Sequence, residues 1–445
     1  MSKERFSPFA LVVVAIASIS GLLFGYHTAV ISGTLIFLAP AFQLSPFDEG
    51  MVVSTILLGG LVGAIAAGEL SERLGRKITL IGTAIVFILG ALIMASATSY
   101  AILIGGRVVS GVAAGIASVT APMYLAEVSP PHYRGRCVAI YQLSMSLGIL
   151  LAYVLTVHYE EAQQWRLLFA WGAAPAVIQV IALFMIPETP SWCVEQGYFE
   201  RAKLSFQRLR RDVLWKKNLK ISERREKGRQ WGFFFSPRVF YVIVLGVVLS
   251  ILQQVTGINA VVYYTPKIFL TAGISSNEAA FMATMGIGGI NVIATLISVW
   301  LLDRAGRRRL LLIGTVGMGC SLILVTAAFL FQAVLVEKLV VLGLMAYVAF
   351  FALSFGPVTW VVISEIFPLK VRSQAIALAL AANWMANYLV SLLFPNLIAH
   401  WGGGYTFAVF TLITFLAVGF IARWIPETKG KSLEEIETMV LRGKF

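Results

Sequence analysis

The stretch ERLGRK at residues 72–77 returns in altered form as DRAGRR at residues 303–308. Two more short stretches recur at a similar displacement: EVSPPHYR at 127–134 with EIFPLKVR at 365–372, and PETP at 187–190 with PETK at 426–429. One long polar stretch, from Pro187 to about Arg238, lies between the two sets. The chain therefore has the pattern of a duplication, with equivalent landmarks in the same order in each half.

Most of the sequence outside these stretches is apolar. The 445 residues are 58% hydrophobic and only 13% charged, and the mean hydropathy is +0.84. A helix needs roughly 20 apolar residues to cross a bilayer, whereas a barrel strand needs only about 10 in an alternating pattern. Backbone polar groups in lipid must be satisfied within such elements. The runs predict an all-α membrane protein with twelve transmembrane helices, at residues 9–38, 51–70, 78–97, 100–127, 138–158, 165–186, 239–270, 279–301, 310–332, 339–364, 374–398 and 404–425.

The net charge of +13 is concentrated in alternate loops. Loops that would share a side with the N-terminus hold most of the Lys and Arg, whereas LSPFDEG and HYEEAQQ on the opposite side are acidic. By the positive-inside rule we expect a multi-pass protein of the plasma (cell inner) membrane with both termini cytoplasmic. The basic balance therefore indicates the lipid bilayer, and not nucleic acid, as the partner.

The sequence has no pattern typical of catalysis or of a bound cofactor. Cys137, Cys193 and Cys320 are an odd set, which predicts neither a disulfide nor a metal site. The four histidines, at 27, 132, 158 and 400, have no ligand spacing, and no phosphate-binding loop is present. We expect neither an enzyme nor a cofactor.

Hydropathy and duplication together predict four segments. They are an N-terminal six-helix bundle at 1–187, a cytoplasmic linker at 188–238, a C-terminal six-helix bundle at 239–425 and a cytoplasmic tail at 426–445. The linker alternates apolar and basic residues, which fits short amphipathic helices at the membrane face or a solvated connector. Two pseudo-symmetric six-helix bundles are the layout of transporters whose substrate lies near the midplane between the repeats. The layout indicates alternating access.

The repeated stretches can form ion pairs at the cytoplasmic ends of the helices. Gly75 and Gly306 permit tight turns there. Acids and bases in both halves could hold these ends together and separate when the carrier switches. The alternative is that the charges only anchor the topology. The residues of this candidate cytoplasmic latch are Glu72, Arg73, Arg76, Glu127, Arg134, Glu188, Asp303, Arg304, Arg307, Glu365, Arg372 and Glu427.

The sequence resembles the sugar porters of the major facilitator superfamily over essentially its whole length. The matching motifs are GRVVSG at 106, PMYLAEVSPPHYRG at 122, PETP at 187, QQVTGINAVVYYTPKIF at 253, DRAGRR at 303, GPVTWVVISEIFP at 356, NWMANY at 383 and PETKGKSLEEIE at 426. The resemblance, to facilitative glucose transporters and to bacterial sugar/proton symporters alike, implies the major facilitator fold. It also implies transport of a hexose or pentose, by facilitated diffusion or together with a proton.

Amide side chains offer both donors and acceptors to sugar hydroxyls without carrying charge. Gln253, Gln254 and Asn259 are spaced to share one helix face, with Tyr263 one turn further along. Buried amides also hold membrane helices together, which is the alternative. Breaks at YYTP (263–266) and FGP (355–357) would let helices bend nearby. The resemblance implies a substrate site lined by Gln142, Gln253, Gln254, Asn259, Asn291, Trp360, Asn383 and Trp384, with Tyr263 and Tyr264 at an outer gate.

His27 lies in the middle of the first apolar run. In proton-coupled sugar porters this position is an aspartate partnered by an arginine that matches Arg107, and many facilitative members have an amide there. Arginine is costly in lipid and should face the protein interior. Beside it, the histidine would be neutral near physiological pH, although histidine is also the side chain most easily switched. A buried histidine satisfied by its neighbours is the structural alternative. The sequence favours facilitated diffusion, with symport through His27 as the close alternative.

The leading hypothesis is therefore a carrier of a monosaccharide, glucose first, that works as a monomer. Export of a drug or organic anion would predict more charge within the membrane and fewer clustered amides. A sugar sensor would need longer tails than this chain has.

Overall fold

The computed structural model describes residues 7–130, 133–159, 164–209, 236–332, 335–368 and 371–430, together with 435–436 and 439. Helix is the only regular secondary structure among these residues. His132 and most of the predicted linker, residues 210–235, lie outside them.

The first half of the chain forms nine helices within the described residues. They are α1 (Pro8–Ala41), α2 (Pro46–Leu74), α3 (Arg76–Ala95), α4 (Tyr100–Val128), α5 (Arg134–His158), α6 (Trp165–Trp171), α7 (Ala173–Met185), α8 (Pro190–Glu195) and α9 (Phe199–Arg208). Short helices were expected after the first six spans. α9 is amphipathic, because Ala202 and Phe206 are buried whereas Arg201 and Lys203 are exposed.

The second half forms seven helices within the described residues. They are α10 (Pro237–Val255), α11 (Ile258–Thr271), α12 (Asn277–Ala305), α13 (Arg307–Leu330), α14 (Val336–Leu353), α15 (Phe355–Ile366) and α16 (Arg372–Trp424). Gly75 between α2 and α3 and Gly306 between α12 and α13 both have φ 90°, a conformation that favours glycine. The repeated sequence therefore forms the same tight turn twice.

Eleven segments of the described residues are long and apolar enough to cross a membrane. The last of them, α16, has 53 residues, about 80 Å at 1.5 Å per residue, which is more than twice the ~30 Å hydrocarbon core. Gly402, with φ 73°, interrupts α16, so that this helix supplies two spans. The prediction of twelve transmembrane helices, with the last boundary between residues 398 and 404, is confirmed.

The chain divides into two compact units. The first comprises Met1–Thr28, Leu58–Ile149 and Arg166–Arg229. In it α3 packs against α4 and α7. A Cβ at Gly115 on α4 would lie 2.0 Å from the carbonyl oxygen of Gly60 on α2, so these helices meet at their backbones, as small residues allow in membranes.

The second unit comprises Ala29–Leu57, Leu150–Trp165 and Gln230–Phe445. In it α13 packs against α14 and α16, and α10 packs against α16. The end of α1, the start of α2 and the end of α5 also belong to this unit. The predicted bundles follow the sequence repeat, whereas the two units follow spatial proximity.

Within the described residues, three of the membrane spans are interrupted. Gly172 separates α6 from α7, Gly257 separates α10 from α11, and Ser354 separates α14 from α15. The last interruption directly precedes FGP, near the predicted position. The expected break at YYTP is not found, because α11 continues through Pro266. The break in that span lies instead at Gly257, where φ is 97°.

Candidate functional site

Four amide side chains form one hydrogen-bonded network in the second unit. Asn383 on α16 donates through Nδ2 to the carbonyl oxygen of Ser250 at 2.8 Å and to Oε1 of Gln253 at 2.9 Å. Its Oδ1 accepts from Nε2 of Gln254 at 3.1 Å. Asn259 extends the network, because its Nδ2 donates to Oε1 of Gln254 at 2.6 Å. Half of the predicted substrate residues therefore contact one another.

The network lies where the backbone of two spans is interrupted. Gln254 is in the last turn of α10 and Asn259 is in the first turn of α11, with Gly257 between them. Gln253 donates from Nε2 to the carbonyl oxygen of Phe355 at 2.7 Å, at the start of α15. Irregular backbone at membrane depth is tolerated where it is buried in protein or lines a cavity. Hydrogen bonds of the amide side chains therefore connect the two spans where their helices are interrupted.

The network is neutral, and one end of it is accessible. Gln253, Gln254 and Asn383 are buried, whereas Asn259 is half-buried. Asn259 uses one Nδ2 proton within the network. Within the described residues, no hydrogen bond is found to its side-chain oxygen or from its second Nδ2 proton. An amide can accept and donate at once. This end of the network can therefore bind a hydroxyl group that does both.

The other predicted substrate residues lie on separate helices. Trp384 is buried next to Asn383 on α16, and Trp360 on α15 and Asn291 on α12 are half-buried. Gln142 is half-buried on α5 in the first unit. No described hydrogen bond joins the side chains of Asn291, Trp360 or Gln142 to the amide network.

Asn387 is a polar residue that the sequence reasoning missed. It is buried on α16, one turn after Asn383, and its Oδ1 accepts a hydrogen bond from Oγ of Ser391 at 3.1 Å. The signal was present in NWMANY, because two asparagines four residues apart share one face of a helix.

The two predicted gate tyrosines are buried on α11. The Tyr264 hydroxyl donates to the carbonyl oxygen of Ser391 on α16 at 2.8 Å, and its ring lies 5.1 Å from that of Phe394. Tyr264 therefore holds α11 against α16 at a point further along α11 than Asn259.

His27 and Arg107 lie side by side in the first unit. His27 is 1% exposed and Arg107 is fully buried. The hydrogen bond between them does not involve the imidazole. The Arg107 guanidinium donates to the backbone carbonyl oxygen of His27 at 2.9 Å. The imidazole lies 4.7 Å from the ring of Phe87, and a Cβ at Gly172 would be 2.9 Å from its Nε2. The backbone at Gly172 is the polar group next to the imidazole.

The candidate latch charges of the first half form a partly buried cluster. Arg76 donates to Oε1 of Glu127 through Nη2 at 2.9 Å and through Nε at 3.2 Å. The Glu188 carboxylate accepts from the backbone N–H groups of Lys77 at 3.0 Å and Thr189 at 2.7 Å. Burial raises the pKa of Glu188 above its usual range, although these N–H groups and the Arg76 charge oppose the shift.

The second half repeats this cluster with more solvent around it. Arg307 donates to Oε1 of Glu365 at 3.1 Å. Glu427 accepts from the backbone N–H groups of Arg307 and Lys429 at 3.0 Å and of Arg308 at 3.2 Å. Burial alone would raise the pKa of Glu427, but these backbone donors outweigh it and the pKa is lowered.

The remaining latch candidates whose side chains are described make the following contacts. Arg73 is 75% exposed and pairs with Glu69, and Glu72 contributes only its carbonyl oxygen, which accepts from Nε1 of Trp192 at 2.8 Å. Arg134 is exposed at the start of α5. Further along the chain, Arg304 stacks on Trp300 at 4.0 Å and Arg372 donates to the carbonyl oxygen of Phe367. The side chain of Asp303 lies outside the described part of the structure.

Known sequences resemble the chain over nearly its full length. The profile of the family described as "Sugar (and other) transporter" matches residues 13–440. The chain is 36% identical to the arabinose-proton symporter of Bacillus subtilis (strain 168), over 98% of this chain and 96% of that protein. It is also 36% identical to the galactose-proton symporter of Escherichia coli (strain K12), over 97% and 94%, and to a D-xylose transporter of Levilactobacillus brevis, over 96% and 94%.

Solved structures also resemble the chain. The inward open conformation of the xylose transporter XylE from E. coli matches with a TM-score of 0.84 and 32% identity, over 97% of this chain and 99% of that one. The proton:xylose symporter XylE of the major facilitator superfamily, bound to 6-bromo-6-deoxy-D-glucose, matches with a TM-score of 0.81 and 33% identity, over 98% and 100%. This chain therefore belongs to the sugar porter family of the major facilitator superfamily, and it is a multi-pass membrane transporter of sugars and not an enzyme.

Proposed function

We propose that the protein carries a monosaccharide by alternating access, with the amide network of Gln253, Gln254, Asn259 and Asn383 as the core of its substrate site. The observation that supports this most is a neutral network at two helix interruptions, with hydrogen-bonding capacity left at Asn259. A sugar hydroxyl needs a donor and an acceptor together, which an amide supplies. Glucose is the first sugar to test, followed by the arabinose, xylose and galactose that relatives are named for.

We further propose that transport is coupled to protons and that His27 is the titrating group. Facilitated diffusion, which the sequence favoured, becomes the second candidate, because relatives over the full length of the chain are named as proton symporters. His27 is buried, and no carboxylate lies against its ring within the described residues. A group that takes up a proton from one side must be reached by water in another conformation, as alternating access provides.

The second candidate also has one observation in its favour. The groups packed against the imidazole are the aromatic ring of Phe87, the backbone at Gly172 and the carbonyl-bound guanidinium of Arg107. The guanidinium repels an imidazolium, and none of the three groups is a carboxylate that would compensate its charge. A neutral His27 that only fills this space would give a uniporter.

The distribution of basic residues supports the orientation of the chain. The two ion clusters with their arginines lie in loops on the side of both termini, which we propose to be the cytoplasmic side of the plasma membrane. One chain contains both the amide network and the coupling position, so we propose that a monomer is sufficient for transport.

Uptake into proteoliposomes tests this function. A panel of labelled sugars is presented with and without an inward proton gradient, to the wild type, to His27→Gln and to the matched control His400→Gln, which changes an exposed histidine. We expect gradient-driven accumulation in the wild type and in the control, whereas His27→Gln should only equilibrate the sugar. Equilibration without accumulation by the wild type would establish the uniporter, and no uptake of any monosaccharide would refute the proposed function.

A further inference from the structure

An ion pair joins the two halves of the chain at the end of the helices away from the arginine clusters. Glu49 lies in the first turn of α2, and its carboxylate pairs with the ammonium group of Lys267 near the end of α11. The side chain of Glu49 is 9% exposed and that of Lys267 is 35% exposed. The carboxylate is therefore withdrawn from water in this state, and the lysine is the charge that compensates it.

The surroundings of this pair show that it sits in a closed contact. A Cβ at Gly50 would lie 2.3 Å from the carbonyl oxygen of Leu392 on α16, so the start of α2 rests directly on the backbone of α16. On α5, the Tyr153 hydroxyl donates to the carbonyl oxygen of Val262 on α11 at 2.8 Å. All of these groups belong to the second compact unit. Ends of helices from the first half of the sequence are thus packed on helices of the second half.

We propose that Glu49 and Lys267 form an outer latch, an ion pair that is made when the extracellular end of the carrier closes and separated when it opens. This inference rests on the alternating access and orientation proposed above. In the open state both charges would be hydrated independently. In the closed state the attraction within the buried pair roughly offsets the cost of removing both charges from water. Removing one partner is strongly unfavourable, because the other charge is then buried without compensation.

The unequal burial of the two groups gives the latch a specific signature. Lys267→Met leaves a buried carboxylate without its cation, so the closed state should be disfavoured strongly. Glu49→Gln leaves a lysine that already reaches water, so its effect should be smaller. The double variant leaves neither charge in the contact and should close again. A surface pair with no conformational role would give none of these differences.

The rate at which a cysteine is labelled from outside measures the closed fraction. Ser54 lies one turn after Gly50 on α2, is fully buried, and its hydroxyl has no partner within the described residues. Ser54→Cys is therefore a conservative reporter, introduced after Cys137, Cys193 and Cys320 are replaced by alanine. A membrane-impermeant maleimide is added to cells or right-side-out vesicles, and the rate of modification is followed.

We expect slow labelling with the pair intact and labelling about tenfold faster in Lys267→Met, equivalent to ~1.4 kcal/mol. Glu49→Gln should label at an intermediate rate, and adding it to Lys267→Met should restore slow labelling. The control Glu278→Gln, which removes an exposed acid from the first turn of α12, should leave the rate unchanged. Labelling of Lys267→Met at the wild-type rate, or no restoration in the double variant, would overturn the latch.

The Tm of Lys267→Met separates opening from misfolding, because an opened carrier still unfolds cooperatively whereas a misfolded one does not. Labelling needs neither sugar nor a proton gradient. A carrier that failed the uptake test but kept this labelling pattern would therefore contradict the proposed substrate and not the latch.

Discussion

Asn383→Ala tests whether the amide network organises the sugar site. Asn383 makes three hydrogen bonds, to the carbonyl oxygen of Ser250, to Oε1 of Gln253 and from Nε2 of Gln254. Alanine removes all three hydrogen bonds, so Gln253 and Gln254 each lose one partner. Gln253 keeps its bond to Phe355, and Gln254 keeps its bond from Asn259, so the site should loosen without being lost.

Two magnitudes follow from these contacts. Hydrogen bonds between membrane helices contribute about 0.6 kcal/mol each on average and at most about 1.7, so three of them give ~2 kcal/mol of stability. Holding a long side chain in one rotamer costs about 0.5–1.5 kcal/mol when binding must supply it. Two loosened glutamines should therefore weaken sugar binding by about 1–3 kcal/mol, which is roughly 5- to 150-fold in Kd.

Calorimetric titration of the purified carrier with the transported sugar measures the affinity, and thermal unfolding in the same detergent measures the stability. Ser391→Ala is the control, because it removes one hydrogen bond, to Asn387, two turns further along α16. It should bind within about twofold of the wild type. A lower Tm together with weaker binding supports the network. Asn383→Ala that binds sugar within twofold of the wild type would refute the reasoning.

Three further results are expected outside the amide network. Arg76→Met should cost about 3 kcal/mol because Arg76 is 7% exposed in its ion pair, whereas Arg73→Met, at a 75% exposed pair, should cost less than about 1 in the same unfolding assay. Glu427→Gln should destabilise at neutral pH. Because the folded pKa of Glu427 lies below the unfolded value, wild-type and variant stabilities should converge as pH falls through that lowered pKa. Burial raises the pKa of Cys193 to about 11, so roughly one thiol in a thousand is ionised at pH 8; mass spectrometry should find it unalkylated until the protein is denatured.

Hydropathy predicted the spans because a membrane leaves little choice of backbone. Each apolar run must form a helix, so counting runs located all twelve, including the turn at Gly402 inside α16. The amide network was also predictable, since Gln253, Gln254 and Asn259 lie close together in sequence. The contribution of Asn383 came from the family resemblance, because nothing in the local sequence specifies that α16 packs against α10.

The sequence could not show which charges of the repeated stretches would pair. Arg73 and Arg76 are three residues apart, but the turn at Gly75 lies between them, so one points to solvent and the other to Glu127. Glu188 was one acid of the candidate latch. Its carboxylate accepts from the backbone at the start of α3, where the first N–H groups of a helix have no partner within the helix. Such a partner has no side-chain identity to recognise in a sequence.

The three interrupted spans explain why polar side chains accumulate where they do. An interruption frees carbonyl groups, and in a membrane each needs a donor. The Tyr26 hydroxyl donates to Leu168 in the last turn of α6, Tyr347 donates to Thr256 at the end of α10 at 2.9 Å, and Ser298 donates to Leu353 at the end of α14 at 3.1 Å. Tyr26 adjoins His27, and Thr256 follows Gln254 by two residues. The groups that make the breaks tolerable therefore stand beside the groups assigned to coupling and to sugar binding. A carrier of this kind can keep irregular backbone at the proposed sugar site and the proposed coupling position, because these hydroxyls replace backbone hydrogen bonds that regular helices would have made.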